Sequence, residues 1–215
     1  MFDPPAVGSR FAVVRAPSGL GLRASGVEGL GDALLGHGLA QALCARIATS
    51  VAPPPASGLR DAASGVLNGP EVATYAVSLA DAVGVVLDVG EVPLVLGGDC
   101  SVLLGGALAL RRRGAAGLLF LDGHADFYQP SAEPSGEAAS MDLAFATGHG
   151  PPAVGDLEGR SPLVRAEHAA SSASATRRSR LATVASRSPP SSSRSTSPWC
   201  ARPARAAPPS SPLPT

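Results

Sequence analysis

The chain contains no lysine; all 17 of its basic side chains are arginine. With 25 glycines and 21 prolines among 215 residues, this is the usage of GC-rich codons. Aromatic residues make up only 4%, with a single tryptophan, which leaves no set of stacking platforms for nucleic-acid bases. Three cysteines, Cys44, Cys100 and Cys200, are too few and too scattered for a disulfide framework, so a reducing compartment is expected. No apolar run approaches the roughly 20 residues that a membrane helix needs. Met1 to Arg10 holds two prolines and no apolar segment, unlike a secretory signal. These absences predict a cytoplasmic chain with neither a membrane nor a nucleic acid as partner.

A further absence divides the chain. Glu167 is the last acidic residue. Residues 1–168 hold all 17 acids and 10 arginines, whereas 169–215 hold 7 arginines, 13 serines and 8 prolines. A formal net charge of zero therefore conceals an acidic body and a basic tail. The tail cannot bury enough apolar surface to offset its chain entropy, which predicts disorder from Ala169 onward. The expected organisation is a body over 1–168 and a tail over 169–215.

The body alternates strand and helix. Phe11–Val14 reads as a strand, Leu30–Arg46 as a helix and Ile47–Ala52 as a second strand. Pro70 sits at the tolerated first position of a helix running to Leu87. Val92–Leu96 and Leu118–Leu121 are continuous apolar runs flanking a helix over Ser101–Arg113, as expected of adjacent central strands of a parallel sheet. Arg111, Arg112 and Arg113 read as dipole complementation and solvation at the end of that helix.

The chemistry-bearing residues fall just after those two runs, where open parallel sheets place their sites. One cluster is Gly97-Gly98-Asp99-Cys100-Ser101; the other is Asp122-Gly123-His124-Ala125-Asp126-Phe127. Asp122, His124 and Asp126 alternate along the chain, so an extended stretch can aim all three to one side. Two carboxylates and an imidazole are a half-site for a divalent metal. The competing reading is a polar loop whose aspartates cap the next element.

These two clusters, followed by Ser-Gly-Glu-Ala-Ala-Ser-Met-Asp-Leu-Ala-Phe at 135–145, resemble the arginase/agmatinase (ureohydrolase) family. That family usually shows Gly-Gly-Asp-His-Ser, Asp-Ala-His-x-Asp and Ser-Gly-Asn-x-His-Gly in this order. The resemblance covers roughly residues 8–167. It implies a three-layer α/β/α fold, incomplete here, and a two-manganese centre that hydrolyses C–N bonds of guanidino or linear amidine substrates. It implies Asp122, His124 and Asp126 as metal ligands, with Cys100 standing where the family has a histidine ligand. A thiolate there favours zinc or iron over manganese, and a helix N-terminus is expected to lower its pKa. Ser135 matches a substrate-contacting serine, and Glu137 stands beside it in place of asparagine. Asp126 is the one catalytic candidate. The intact family member is compatible with a homo-oligomer.

The departures are specific. Ala139 occupies the place of the family's proton-shuttling histidine, and His149 reads as a solvated loop residue. Glu137 and Asp142 add acid nearby. The family's later Ser-x-Asp-x-Asp-x-x-Asp-Pro motif has no counterpart, since no acid follows Glu167. This predicts a truncated, impaired hydrolase. Moving the reading frame back one base across Ser171–Thr176 converts those codons, with G or C at third positions, to (Val/Leu)-(Val/Leu)-(Gly/Arg)-(Val/Leu)-(Gly/Arg)-(Asp/His); one solution, Val-Val-Gly-Val-Arg-Asp, reads as a buried strand followed by Gly-x-Arg. The tail is therefore read as a frameshift product. The alternative function is a non-catalytic α/β binding module whose basic tail engages a polyanion.

Overall fold

A computed structural model describes residues 10–114 and 117–173. Strand β1 (Phe11–Ala16) pairs in parallel with β2 (Arg46–Ser50) on one edge and with β3 (Val92–Gly97) on the other. Consecutive strand residues face opposite sides. Ala12, Val13 and Val14 are all 0% exposed, so helices and loops cover both faces of β1.

Two short helices, α1 (Leu30–Gly36) and α2 (Leu39–Ala42), lie between β1 and β2. They replace the single expected helix over Leu30–Arg46. Gly38 takes a left-handed φ of 87° and breaks the run, and Arg46 opens β2 instead of closing a helix.

Helix α3 (Gly69–Asp88) has Pro70 in its first turn, as expected. By length and mean composition it passes for a membrane-crossing helix, although Glu71, Thr74, Ser78 and Asp81 interrupt its apolar residues. Its apolar face is spent on the core: Val72, Leu79, Val83 and Val86 are buried there. Against it packs α4 (Leu103–Arg111), which follows a single 3₁₀ turn over Cys100–Val102. The arginine triplet is more than solvation. Arg112 bonds Asp81 of α3 and Glu158, Arg113 bonds Asp88 and the Gly84 carbonyl, and Arg111 donates to the Arg160 and Pro162 carbonyls. The triplet thus ties α4 to α3 and to the loop before β5.

Strand β4 (Leu118–Asp122) pairs in parallel with β5 (Ala169–Ala173), and these two form a sheet apart from β2-β1-β3. Two expectations are corrected here. First, β3 and β4 are parallel-sheet strands but not neighbours: among the described residues β3 bonds only β1, and β4 only β5. The apolar runs signal burial of side chains, and nothing in them encodes which backbone edges meet. Leu119 and Leu121 of β4 are accordingly 68% and 71% exposed. Second, the body does not end at residue 168, because Ala169–Ala173 is ordered against β4. Strand pairing uses backbone groups, so a serine-bearing segment can occupy an open edge despite its polar side chains. The rest of the predicted disordered tail, 174–215, lies outside the described residues.

Between β4 and β5 run two short helical pieces, α5 (Asp142–Ala146) and α6 (Pro152–Gly155). Phe145, Met141 and Val154 there are 0% exposed and complete the core begun by α3 and α4.

Candidate metal centre

The site is built at the carboxyl ends of β3 and β4. After Gly97 the chain turns, and Asp99 caps the following 3₁₀ turn: its Oδ1 accepts from Ser101 N at 2.8 Å. Its Oδ2 accepts from Gly21 N at 3.1 Å, so the same carboxylate braces this turn against the loop after β1. A side chain at Gly21 would collide with Asp99 Oδ1 and with Ser101, which is why glycine serves there. Burial pushes the Asp99 pKa up, while the hydrogen bonds from Ser101 and Gly21 pull it back. Asp99 is thus a structural brace.

The braced turn presents Cys100, a free thiol, to the end of β4. Its Sγ donates to Asp122 Oδ2 at 3.7 Å. Asp122 Oδ1 accepts from the His124 backbone N–H at 2.9 Å, which curls the loop. Asp126 adopts a left-handed φ of 45°, uncommon for a residue with a Cβ. Its carbonyl accepts from Ala144 N at 3.2 Å, fastening the loop to α5. One donor atom from each of Cys100, Asp122 and Asp126 then lies within 4.8 Å of the others.

His124 is not brought into this group. Its side chain is 87% exposed, with Nδ1 3.6 Å from Asp122 Oδ1. The loop turns back through its own backbone N–H, so the alternation assumed for an extended segment is lost. Ser135 and Glu137 are engaged elsewhere: Ser135 Oγ donates to Glu133 Oε2 of its own loop at 2.8 Å, and Glu137 Oε1 accepts from Arg23 N of the loop after β1 at 2.9 Å. Neither bonds to Cys100, Asp122 or Asp126. Ala139 is 7% exposed and offers no proton carrier. His149 sits with its ring 5.1 Å from that of Phe127 and its Nδ1 3.2 Å from Thr147 Oγ1. It is held beside the Asp122–Asp126 loop, more firmly than a solvated loop histidine. A surface hollow of about 520 Å³ opens next to it and is lined by none of the three clustered donors.

The electrostatics are one-sided. Burial, then the charges of Asp142, Asp122 and Asp126, push the Cys100 thiol up to about 12. The expected lowering by a helix N-terminus is overridden, because acids outnumber the few oriented N–H groups of one 3₁₀ turn. Burial and Asp122 raise Asp126, with His124 opposing. Asp142, the residue that sequence reasoning noted only as extra acid, is 0% exposed and lifted to about 9, by burial first and Asp126 next. Neither of its carboxylate oxygens has a hydrogen-bond partner. Among the described residues no arginine pairs with Asp122, Asp126 or Asp142. Gathering acids without a counter-charge is costly. A divalent cation fits this donor set of carboxylate oxygens and one sulfur, and would offset that cost.

Comparison with known proteins agrees with this geometry. A family model described as the arginase family matches residues 43–195. The chain is 37% identical over 91 residues to an arginase of Bacillus caldovelox, covering 42% of this chain and 30% of that protein. It is 31% identical over 106 residues to an arginase of Staphylococcus aureus, covering 49% and 34%. The solved native structure of the Bacillus caldovelox arginase superposes with a TM-score of 0.70 at 28% identity, over 76% of this chain and 57% of that one. The chain thus spans about a third of the length of these sequence relatives and somewhat over half of the solved one. Its parallel strands and helices are those of an arginase-like α/β fold, and the chain belongs to the arginase family.

Proposed function

We propose that this chain is part of a metal-dependent hydrolase acting on C–N bonds of guanidino or linear amidine compounds. The observation that carries the reading is the convergence of Cys100, Asp122 and Asp126 at the carboxyl ends of parallel strands. These three residues would hold a divalent metal, with His124 at the rim of the same loop. Manganese follows from the family; zinc or iron follows from the Cys100 sulfur. An ion held by these residues would supply acidification of bound water and polarisation of the group under attack. The chain's own residues supply the rest. Asp99 fixes the turn that carries Cys100, and the left-handed Asp126 aims its carboxylate inward. Ser135 and Glu137, half-buried on the neighbouring loop, are proposed to meet the substrate. With alanine at 139, no side chain there relays a proton, and such help is worth about 10²–10⁴-fold.

We further propose that the chain as written is impaired, because no acid after Glu167 is available to hold a second metal. Residues beyond the body are read as the product of a shifted frame. The test measures urea or ammonia release from arginine, agmatine, guanidinobutyrate and formimino compounds, with manganese and zinc supplied separately. The chain as written should turn over slowly or not at all, and a frame-restored version should gain activity on one of the panel. Equal turnover by both would place the catalytic centre elsewhere.

A further inference from the structure

We infer that Asp142 is itself an oxygen donor to the cation held by Cys100, Asp122 and Asp126, so that the centre draws a ligand from α5 as well as from the two strand ends. This rests on the metal reading proposed above. Asp142 is 0% exposed, and both its oxygens lack a hydrogen-bond partner. Its flanking residues Met141 and Leu143 are 0% and 7% exposed, so the carboxylate lies in apolar surroundings. A buried carboxylate has three ways to be tolerated. It can accept hydrogen bonds, and beyond weak ones from the backbone N–H groups of Leu143 and of its own residue neither oxygen has a partner. It can stay protonated and donate its O–H, but no acceptor is within bonding reach of either oxygen. It can face a positive charge, and among the described residues no arginine is paired with it. A cation is the remaining solution.

The packing of α5 against the ligand loop points the same way. Asp126 and Asp122 both act on its charge. The bond from Ala144 N to the Asp126 carbonyl fastens α5 to the ligand loop two residues beyond Asp142. The donor atoms of Cys100, Asp122 and Asp126 already lie within 4.8 Å of one another; Asp142 stands outside that group and would have to swing towards it, completing a set of three carboxylates and one sulfur from three separate segments of chain.

The experiment uses the full chain and its Asp142→Asn variant, with Asp126→Asn as reference. Binding of Mn²⁺ and of Zn²⁺ is measured by calorimetry, and melting is recorded without metal. Asn keeps the shape and removes the charge. We expect Asp142→Asn to weaken Mn²⁺ binding at least tenfold and to raise the melting temperature of the metal-free chain. A merely structural Asp142 would move the melting temperature and leave the affinity alone; unchanged affinity for both ions overturns the inference while the metal reading stands. Wild type that binds neither ion sinks both. Should Asp142→Asn lack a cooperative melt, a crystal of wild type soaked in MnCl₂ decides. An Asp142 oxygen within about 2.0–2.6 Å of the ion supports the assignment, and a longer separation overturns it.

Discussion

The Cys100 thiol points at the Asp122 carboxylate, Sγ to Oδ2 3.7 Å, across two strands that share no backbone hydrogen bond. β3 belongs to one sheet and β4 to another, and the side chains at their carboxyl ends are where the two meet. A cation bound there would link parts of the molecule that the backbone ladder leaves unlinked. The chemistry of the site and the stability of the fold are therefore coupled.

Metal should stabilise the whole chain. A ligand that binds only the folded state at about 100 times its dissociation constant contributes about 2.7 kcal/mol. Adding Mn²⁺ or Zn²⁺ to the purified chain should raise its melting temperature by several degrees, and Asp126→Ala should abolish the rise. An unchanged melt in wild type argues against metal at this cluster.

Zinc binding should release protons. The Cys100 thiol is held up to about 12, so it is protonated at neutral pH and must lose its proton to bind as thiolate. The affinity should therefore increase with pH, by up to about tenfold per unit for one displaced proton. Calorimetry in buffers of different ionisation enthalpy should count about one proton fewer for Cys100→Ser. Equal counts would show that the sulfur stays protonated or unbound.

Gly21→Ala should harm fold and site together. The added methyl would lie 2.8 Å from Ser101 Cβ and would clash with the Asp99 carboxylate that braces the Cys100 turn. Overpacking of this kind costs about 1–3 kcal/mol. Urea unfolding should show the loss, and metal affinity should fall as well. Unimpaired affinity would mean that the brace does not position Cys100.

The Arg112 clamp gives an acid-side dependence. Arg112 lowers the Glu158 pKa through a charged hydrogen bond. The folded value is depressed, so this contribution is present above the unfolded glutamate value of about 4.3 and is lost as pH falls through the lower folded one. Partly exposed pairs are worth about 0.2–1 kcal/mol each. Arg112→Ala should cost about 1 kcal/mol near pH 7 and markedly less near pH 3, read from urea midpoints at the two values.

The alternative function has its own measurement. If the basic tail serves a polyanion, the full chain should bind single-stranded RNA with affinity falling steeply in salt, and removing residues 174–215 should abolish it. No salt-dependent binding by the full chain removes that reading.

Much of the local structure was legible from residue order alone. The apolar runs at Val13, Leu94 and Phe120, the proline at the start of α3 and the two strand-end clusters follow from periodicity, ring geometry and the position of polar residues after buried ones. Those are short-range signals, and the sequence by itself determined an α/β chain with its reactive groups at strand ends. It also named Cys100, Asp122, His124 and Asp126 as a set, of which the fold brings three together and leaves His124 outside. Tertiary structure decided the rest. Which strands pair depends on backbone groups common to every residue, so β3 and β4 took other partners and Ala169–Ala173 joined the edge of β4 in spite of its serines. Where His124 points depends on one backbone bond to Asp122, invisible to an alternation count. The Asp142 charge became significant only once folding buried it among apolar neighbours beside Asp126, because the cost of an unpaired carboxylate is set by the water and partners that the fold removes.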